Sequence, residues 1–144
     1  MNERYIRQTM IPGIGEAGQE KLKNAKVLIV GIGGLGSPIS LYLTAAGVGQ
    51  IGLIDDDIVS KSNLQRQILY TEAEIGQSKV ECACRRLSAL NSSTRFETYP
   101  NRFTPDNANR LVSAYDIIVD GCDNAATRYL IDDVCSRFKK PYVY

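Results

Sequence analysis

Histidine is absent from this 144-residue sequence. Its absence removes the commonest general base near neutral pH and the commonest zinc ligand. Net charge is nearly absent as well: 17 Lys and Arg against 16 Asp and Glu leave +1. No basic excess points to nucleic acid or to an anionic membrane surface. No apolar run approaches the ~20 residues that span a bilayer. The first residues, MNERYIRQ, are charged from the start and lack the apolar core of a secretory signal, so a cytoplasmic location is expected. Cysteine is sparse. Cys82 and Cys84 are one residue apart, the wrong spacing for a zinc knuckle, and Cys122 and Cys135 complete no C-x-x-C pair. Without a secretion signal, all four are expected as reduced thiols in or near the core. Repeats and low-complexity tracts are missing too.

What is present is 44% apolar residues in a chain the size of one domain. Their pattern alternates between two periods. KVLIV (26–30) is a short continuous apolar run, the mark of a buried parallel strand. Residues 37–47 read as a helix, with Ser37 and Pro38 in the first turn and Gly47 as the stop. QIGLID (50–55) is a second strand. A helix is expected over 78–90, with Ser78 as its cap and Val80, Cys84, Leu87 and Leu90 facing inward. A weak strand (95–100), a short helix (105–114), a strand (116–121), a helix (124–138) and the start of a further strand (141–144) follow. Alternating strands and helices, with strands apolar on both faces, predict an α/β, Rossmann-like fold with a mainly parallel sheet and helices on both sides. Residues 1–24 are expected as an N-terminal helical arm and 25–144 as the nucleotide-binding domain. The last strand has barely begun at Tyr144, so a longer parent chain is expected, with the domain incomplete at its C-terminal end.

Gly31, Gly33 and Gly36 fit G-x-G-x-x-G directly after a strand and at the start of a helix. Glycines allow a tight turn and a close backbone approach to phosphate, and the helix N-terminus offers free N–H groups. Asp55 ends the next strand, where a ribose-binding acid sits in dinucleotide folds; a plain turn residue before Asp56 and Asp57 is the other reading. The loop alone does not separate NAD from ATP. The next segment, DDDIVSKSNLQRQILY, places Asn63, Arg66 and Gln67 on a short helical turn. A triphosphate needs fixed guanidinium and ammonium donors there, whereas NAD has little use for them. Lys79 stands at a helix N-terminus, where the dipole disfavours a cation. A phosphate facing it would account for the placement; an exposed lysine is the alternative. Asp123, in DGCDN (120–124), lies past the fourth strand on the ligand edge. It either holds Mg²⁺ through an oxygen or caps the following helix.

Taken together, RYIRQ (4–8), GIGGLG (31–36), DDDIVSKSNLQRQ (55–67), GQSK (76–79) and DGCDN (120–124) occur in order along almost the whole chain. The sequence resembles the E1-like adenylyltransferases of the ThiF/MoeB/HesA family, bacterial relatives of ubiquitin-activating enzymes. The resemblance implies ATP and Mg²⁺ as cofactors and adenylation of the C-terminal glycine carboxylate of a ubiquitin-like sulfur-carrier protein. It implies that Gly34 lies against the nucleotide and that Asp55 holds the ribose. Asn63, Arg66 and Lys79 would grip phosphates, with Gln67 shaping their pocket. Asp123 would assist Mg²⁺ and the attack geometry. Arg7 would reach into the ATP site of a second subunit, so a homodimer is implied; from the residues alone the stretch around it is only a charged, partly helical arm. Many relatives have Cys-Thr where this chain has Gly121-Cys122. The family's Zn²⁺ site, a cysteine on a mobile loop and the carrier-docking sheet belong to a C-terminal half outside these 144 residues. The triple acid and the RQILY run look more like the thiamin-pathway member than the molybdopterin one. Two other readings stand beside this one: an NAD- or FAD-linked oxidoreductase, and an inactive structural partner in a heterodimer.

Overall fold

A computed structural model describes residues 2–144. Two helices, α1 (Ile6–Thr9) and α2 (Gly15–Asn24), lead into β1 (Lys26–Val30). Then follow α3 (Gly36–Ala46), β2 (Gln50–Ile54), α4 (Lys79–Leu90), β3 (Arg95–Tyr99), α5 (Pro105–Ala114), β4 (Ile117–Asp120), α6 (Ala125–Phe138) and β5 (Tyr142–Val143). The five strands form one sheet in the order β3-β2-β1-β4-β5, and every pairing is parallel. Ile29 of β1 stands beside Leu53 on one side and Val119 on the other.

Side chains alternate across a strand. In β1, Val27 and Ile29 face one core, with Val80, Ala83 and Leu87 of α4 and the half-buried Ile39 and Leu43 of α3. Leu28 and Val30 face the other, with Leu111 and Val112 of α5 and Ile131 and Val134 of α6. A strand covered on both faces has no polar side to show, which is why KVLIV reads as an unbroken apolar run. The same arrangement builds the site. The loop after β1 turns to α3 on one face; the loop after β4 turns to α6 on the other. A crevice opens between them at the C-terminal edge of the sheet, where open α/β sheets bind ligands.

The N-terminal residues are tied to the far end of α3. Gln8 and Gln19 both donate from Nε2 to the Ala46 carbonyl at 3.0 Å. Tyr5 is buried, and its hydroxyl accepts from Asn91 Nδ2 at 2.8 Å. Gly47 ends α3 in the left-handed region at φ 93°, as its place after the helix predicts. No helix among the described residues is long and apolar enough to cross a membrane.

Several expectations shift in detail. Ser78 occupies the cap position of α4, but its side chain makes no capping bond. Cys84 and Leu90 are only half-buried; Cys82 and Ala83 take the inward positions beside Val80 and Leu87. β3 is an edge strand with no fully buried residue, so apolar packing on both faces does not hold for it. The helical turn expected around Asn63 is a single 3₁₀ turn, Lys61–Asn63, followed by a tight turn to Arg66. All four cysteines are free; three are buried and Cys84 is half-buried.

Candidate functional site

A cavity of about 950 Å³ opens at the C-terminal edge of the sheet, fed by the segments that follow β1, β2, β3 and β4. Small-molecule sites span roughly 300–1,000 Å³, so this one is at the roomy end.

Its floor is the glycine loop. Gly31 donates to the Ile54 carbonyl at 2.9 Å. A Cβ on Gly31 would come within 2.9 Å of the Gly121 backbone, and one on Gly36 would collide with the Gly31 carbonyl oxygen. Gly31 and Gly121 let the loops after β1 and β4 lie against each other, and Gly36 lets the loop close onto its own first residue. Gly33 and Gly34 have a different setting: both line the cavity, together with Leu35. Two of the loop's carbonyls are occupied. Ser37 donates to the Gly33 oxygen from both its N–H (2.9 Å) and its hydroxyl (2.6 Å), and the Tyr70 hydroxyl donates to the Ile32 oxygen at 2.6 Å. The N–H groups of Gly33, Gly34 and Leu35 meet no acceptor among the described residues. Such a loop presents donors at a helix N-terminus, the arrangement that takes an anion.

Asp55 is half-buried at the end of β2. One carboxylate oxygen accepts the Ile32 N–H and the other the Asp57 N–H, both at 2.8 Å. The acid therefore holds the glycine loop as well as lining the cavity, so the plain-turn reading is too weak.

Lys79 is the sharpest correction. The exposed-lysine alternative fails: the side chain is 4% exposed and lines the cavity. Its Nζ lies 3.1 Å from an oxygen of Asp57, whose side chain is 70% exposed. In this structure the anion beside Lys79 is thus a carboxylate from the triple acid. Burying an ammonium in this way carries a desolvation penalty of several kcal/mol, and one solvent-washed carboxylate offsets it only in part.

Asn63, Arg66 and Gln67 all reach the cavity. Asn63 Oδ1 accepts the Ser60 N–H at 3.1 Å, which leaves its Nδ2 to donate elsewhere. Arg66 is exposed, with Nη1 on the Ser62 carbonyl at 3.1 Å. Its stem runs past Gly34. Gln67 is 4% exposed, and its buried Oε1 has no partner. An unpaired buried acceptor is uncommon in a folded interior.

Asp123 is exposed and lines the cavity. The capping alternative is overturned: Asn124 is the cap of α6, its Oδ1 accepting the Thr127 N–H at 2.8 Å. Among the described residues no three His, Cys, Asp or Glu side chains gather into a metal cage. A Mg²⁺ ion needs no such cage when phosphates supply part of its shell, and the carboxylate of Asp123 fits that donor set. Arg7 is exposed and does not line this cavity.

Sequence reading missed the opposite wall. Arg128, 45% exposed, donates from Nε at 2.8 Å to Asp120, whose side chain is fully buried. Its Nη2 lies 3.4 Å from the Cys122 carbonyl oxygen. The signal was available: side chains lean toward a helix's N-terminus, so a residue four past the cap Asn124 reaches back to the end of β4. Arg102, paired with Asp56 at 3.6 Å, was missed too. Cys122 also lines the cavity, and burial pushes its thiol up to about 11.

The cavity thus combines backbone donors, cations on two walls and a carboxylate suited to a phosphate-bound metal. Known proteins are similar to this chain over nearly its whole length. A sulfur carrier protein adenylyltransferase of Thermus thermophilus is 48% identical over 142 residues, 99% of this chain and 52% of that protein. The adenylyltransferase and sulfurtransferase MOCS3 of Culex quinquefasciatus is 51% identical over 140 residues, 97% of this chain and 32% of its own length. The chain therefore spans about half of the one curated relative and about a third of the other. Among solved structures, the E. coli tRNA N6-threonylcarbamoyladenosine dehydratase TcdA in complex with ATP superposes with a TM-score of 0.86 at 32% identity, over 89% of this chain and 53% of that one. The model of the ThiF family matches residues 5–144, from the N-terminal arm through the last strand, and the chain belongs to that family.

Proposed function

We propose that this protein adenylates the C-terminal glycine carboxylate of a small ubiquitin-like sulfur-carrier protein, using ATP and releasing pyrophosphate. The observation that carries the proposal is Lys79, a buried ammonium on the wall of a cavity floored by free backbone N–H groups. Such a pair suits a polyphosphate and has no evident use in hydride transfer, which weakens the oxidoreductase reading. The names of the relatives support the same reaction.

The residues divide the task. The N–H groups of Gly33 and Gly34 receive phosphate oxygens, and Gly31 and Gly36 let the loop close. Asp55 takes the ribose hydroxyls with lone pairs left over from its two backbone bonds. Lys79 leaves Asp57 for the phosphates, joined by Arg66 and Asn63, with Gln67 shaping their pocket. Mg²⁺ held by Asp123 and the phosphates would neutralise charge on the leaving group. A carrier carboxylate oxygen attacks the α-phosphorus; the bond to the bridging oxygen breaks and pyrophosphate departs with its electron pair. The nucleophile is already an anion, so no general base is needed, and the lack of histidine is no obstacle. Positioning and charge neutralisation supply the rate. The arm, residues 1–24, would carry Arg7 to a second subunit of a homodimer as an arginine finger, since it is remote from its own chain's cavity. In a chain as long as these relatives, Zn²⁺ would be bound by the C-terminal segment.

The triple acid 55–57 and the RQILY run favour a ThiS-type carrier of thiamin biosynthesis; a MoaD-type carrier of molybdopterin biosynthesis is the competitor. ATP–pyrophosphate exchange, measured with each carrier and with none, tests the proposal. Exchange is expected only with a carrier ending in Gly-Gly. Arg66→Ala should lower it by roughly 10²-fold, the scale for removing one charge-stabilising donor. Full exchange by that variant, or none with either carrier from a protein that binds ATP, would refute the assignment.

A further inference from the structure

Tyr70 is buried beneath the glycine loop, three residues after Gln67. Its hydroxyl donates to the Ile32 carbonyl at 2.6 Å, and its own N–H donates to the Gln67 carbonyl at 3.3 Å. Ile32 is therefore held at both ends of its backbone, by Asp55 at the N–H and by Tyr70 at the oxygen. A carbonyl dipole turned toward the cavity would repel phosphate. The Tyr70 bond keeps this one turned away, as Ser37 does for Gly33. Gln67 approaches the loop from the cavity side: its Nε2 would be 3.3 Å from a Cβ on Gly33. One short segment, 67–70, thus grips the loop from two directions.

We infer that Tyr70 is a positioning residue of the nucleotide site, orienting the glycine loop so that its N–H groups, and not its carbonyls, meet the phosphates. The inference rests on the nucleotide-binding part of the function proposed above. Burial and the nearby Asp55 carboxylate push the Tyr70 hydroxyl well above the usual phenol range. It stays protonated, and so remains a donor, at any working pH.

The test is Tyr70→Phe, which deletes one hydroxyl and keeps the ring. Tyr115→Phe is the control, since it removes a buried hydroxyl paired with Tyr99 at 2.9 Å, in the other core. Mg-ATP affinity is read by calorimetry, and loop order by amide exchange of the 31–36 peptide without nucleotide. Tyr70→Phe should weaken Mg-ATP roughly tenfold, the effect of stranding one buried acceptor, and speed exchange in the loop. Tyr115→Phe should lower the melting temperature but change neither readout. Para-aminophenylalanine at position 70 keeps a donor on the ring and should restore affinity; it also serves if the Phe variant does not fold. Wild-type affinity and loop exchange in Tyr70→Phe, or weak binding by the para-amino variant, would overturn the inference. A wild-type protein that binds no ATP would instead sink the proposed function, and loop exchange would still decide what Tyr70 does.

Discussion

A Cβ on Gly34 would lie 3.7 Å from the Arg66 stem, an ordinary contact, whereas one on Gly36 would meet the Gly31 carbonyl head-on. The two glycines of one motif therefore answer to different demands. Gly34→Ala should fold and melt close to wild type while losing Mg-ATP affinity, because the methyl group occupies space at the phosphate floor. Gly36→Ala should give little folded protein, since the collision is with backbone that cannot step aside. Circular dichroism melts beside nucleotide titration separate the cases; a stable Gly36→Ala variant would contradict the packing described. The motif was legible from spacing, and so was the set Asn63, Arg66, Gln67 and Lys79, because each stands a short step from a turn or helix start. What Lys79 touches was not. A residue's burial depends on which elements close over it, and Asp57 comes to Lys79 across 22 positions of chain.

Helix α6 shows how neighbouring residues divide structure from chemistry. Asn124 caps it through the Thr127 N–H, and Asp123, one residue earlier, is left to the cavity. Asn124→Ala should destabilise the protein by about 1 kcal/mol, the usual loss for a removed cap. Asp123→Ala should leave the urea midpoint unchanged and raise the Mg²⁺ concentration needed for pyrophosphate exchange. Equal destabilisation by the two variants would mean that Asp123 shares the capping role. From sequence, DN before a helix leaves the cap ambiguous by one position, since either residue caps well. The helices and inner strands were otherwise readable within a residue or two because their apolar periods are clear. Segment 58–77 was not. Its order comes from isolated turns, the Tyr70 bond and the single bridge between Ile58 and Ser78, none of which leaves a period to detect.

Across the whole molecule, alternation of strand and helix was enough to foresee a doubly covered parallel sheet, yet not the order β3-β2-β1-β4-β5. Nothing in a strand's own residues names its neighbours. The reversal that puts β1 between β2 and β4 creates the crevice, and it also buries Cys122 at the site and Cys135 in the core beneath α6. Burial pushes both thiols up to about 11 from an ordinary value of 9.0. Well below pH 9 both groups are protonated whether the chain is folded or not. Between about 9 and 11 the unfolded chain releases protons that the native state retains, so stability falls as pH rises. The urea midpoint should therefore be lower at pH 10.5 than at pH 8, and the buried Tyr70 and Tyr115 hydroxyls, pushed up as well, carry the fall past about 11. At pH 8 burial keeps the Cys122 thiol protonated. Iodoacetamide should then label the half-buried Cys84 of the folded protein first and Cys122 only slowly, and Mg-ATP in the cavity should slow Cys122 further while leaving Cys84 unchanged. Labelling of Cys122 at the rate of Cys84 would contradict its burial, and a Cys122 rate unchanged by Mg-ATP would place the nucleotide somewhere other than the crevice between β1 and β4.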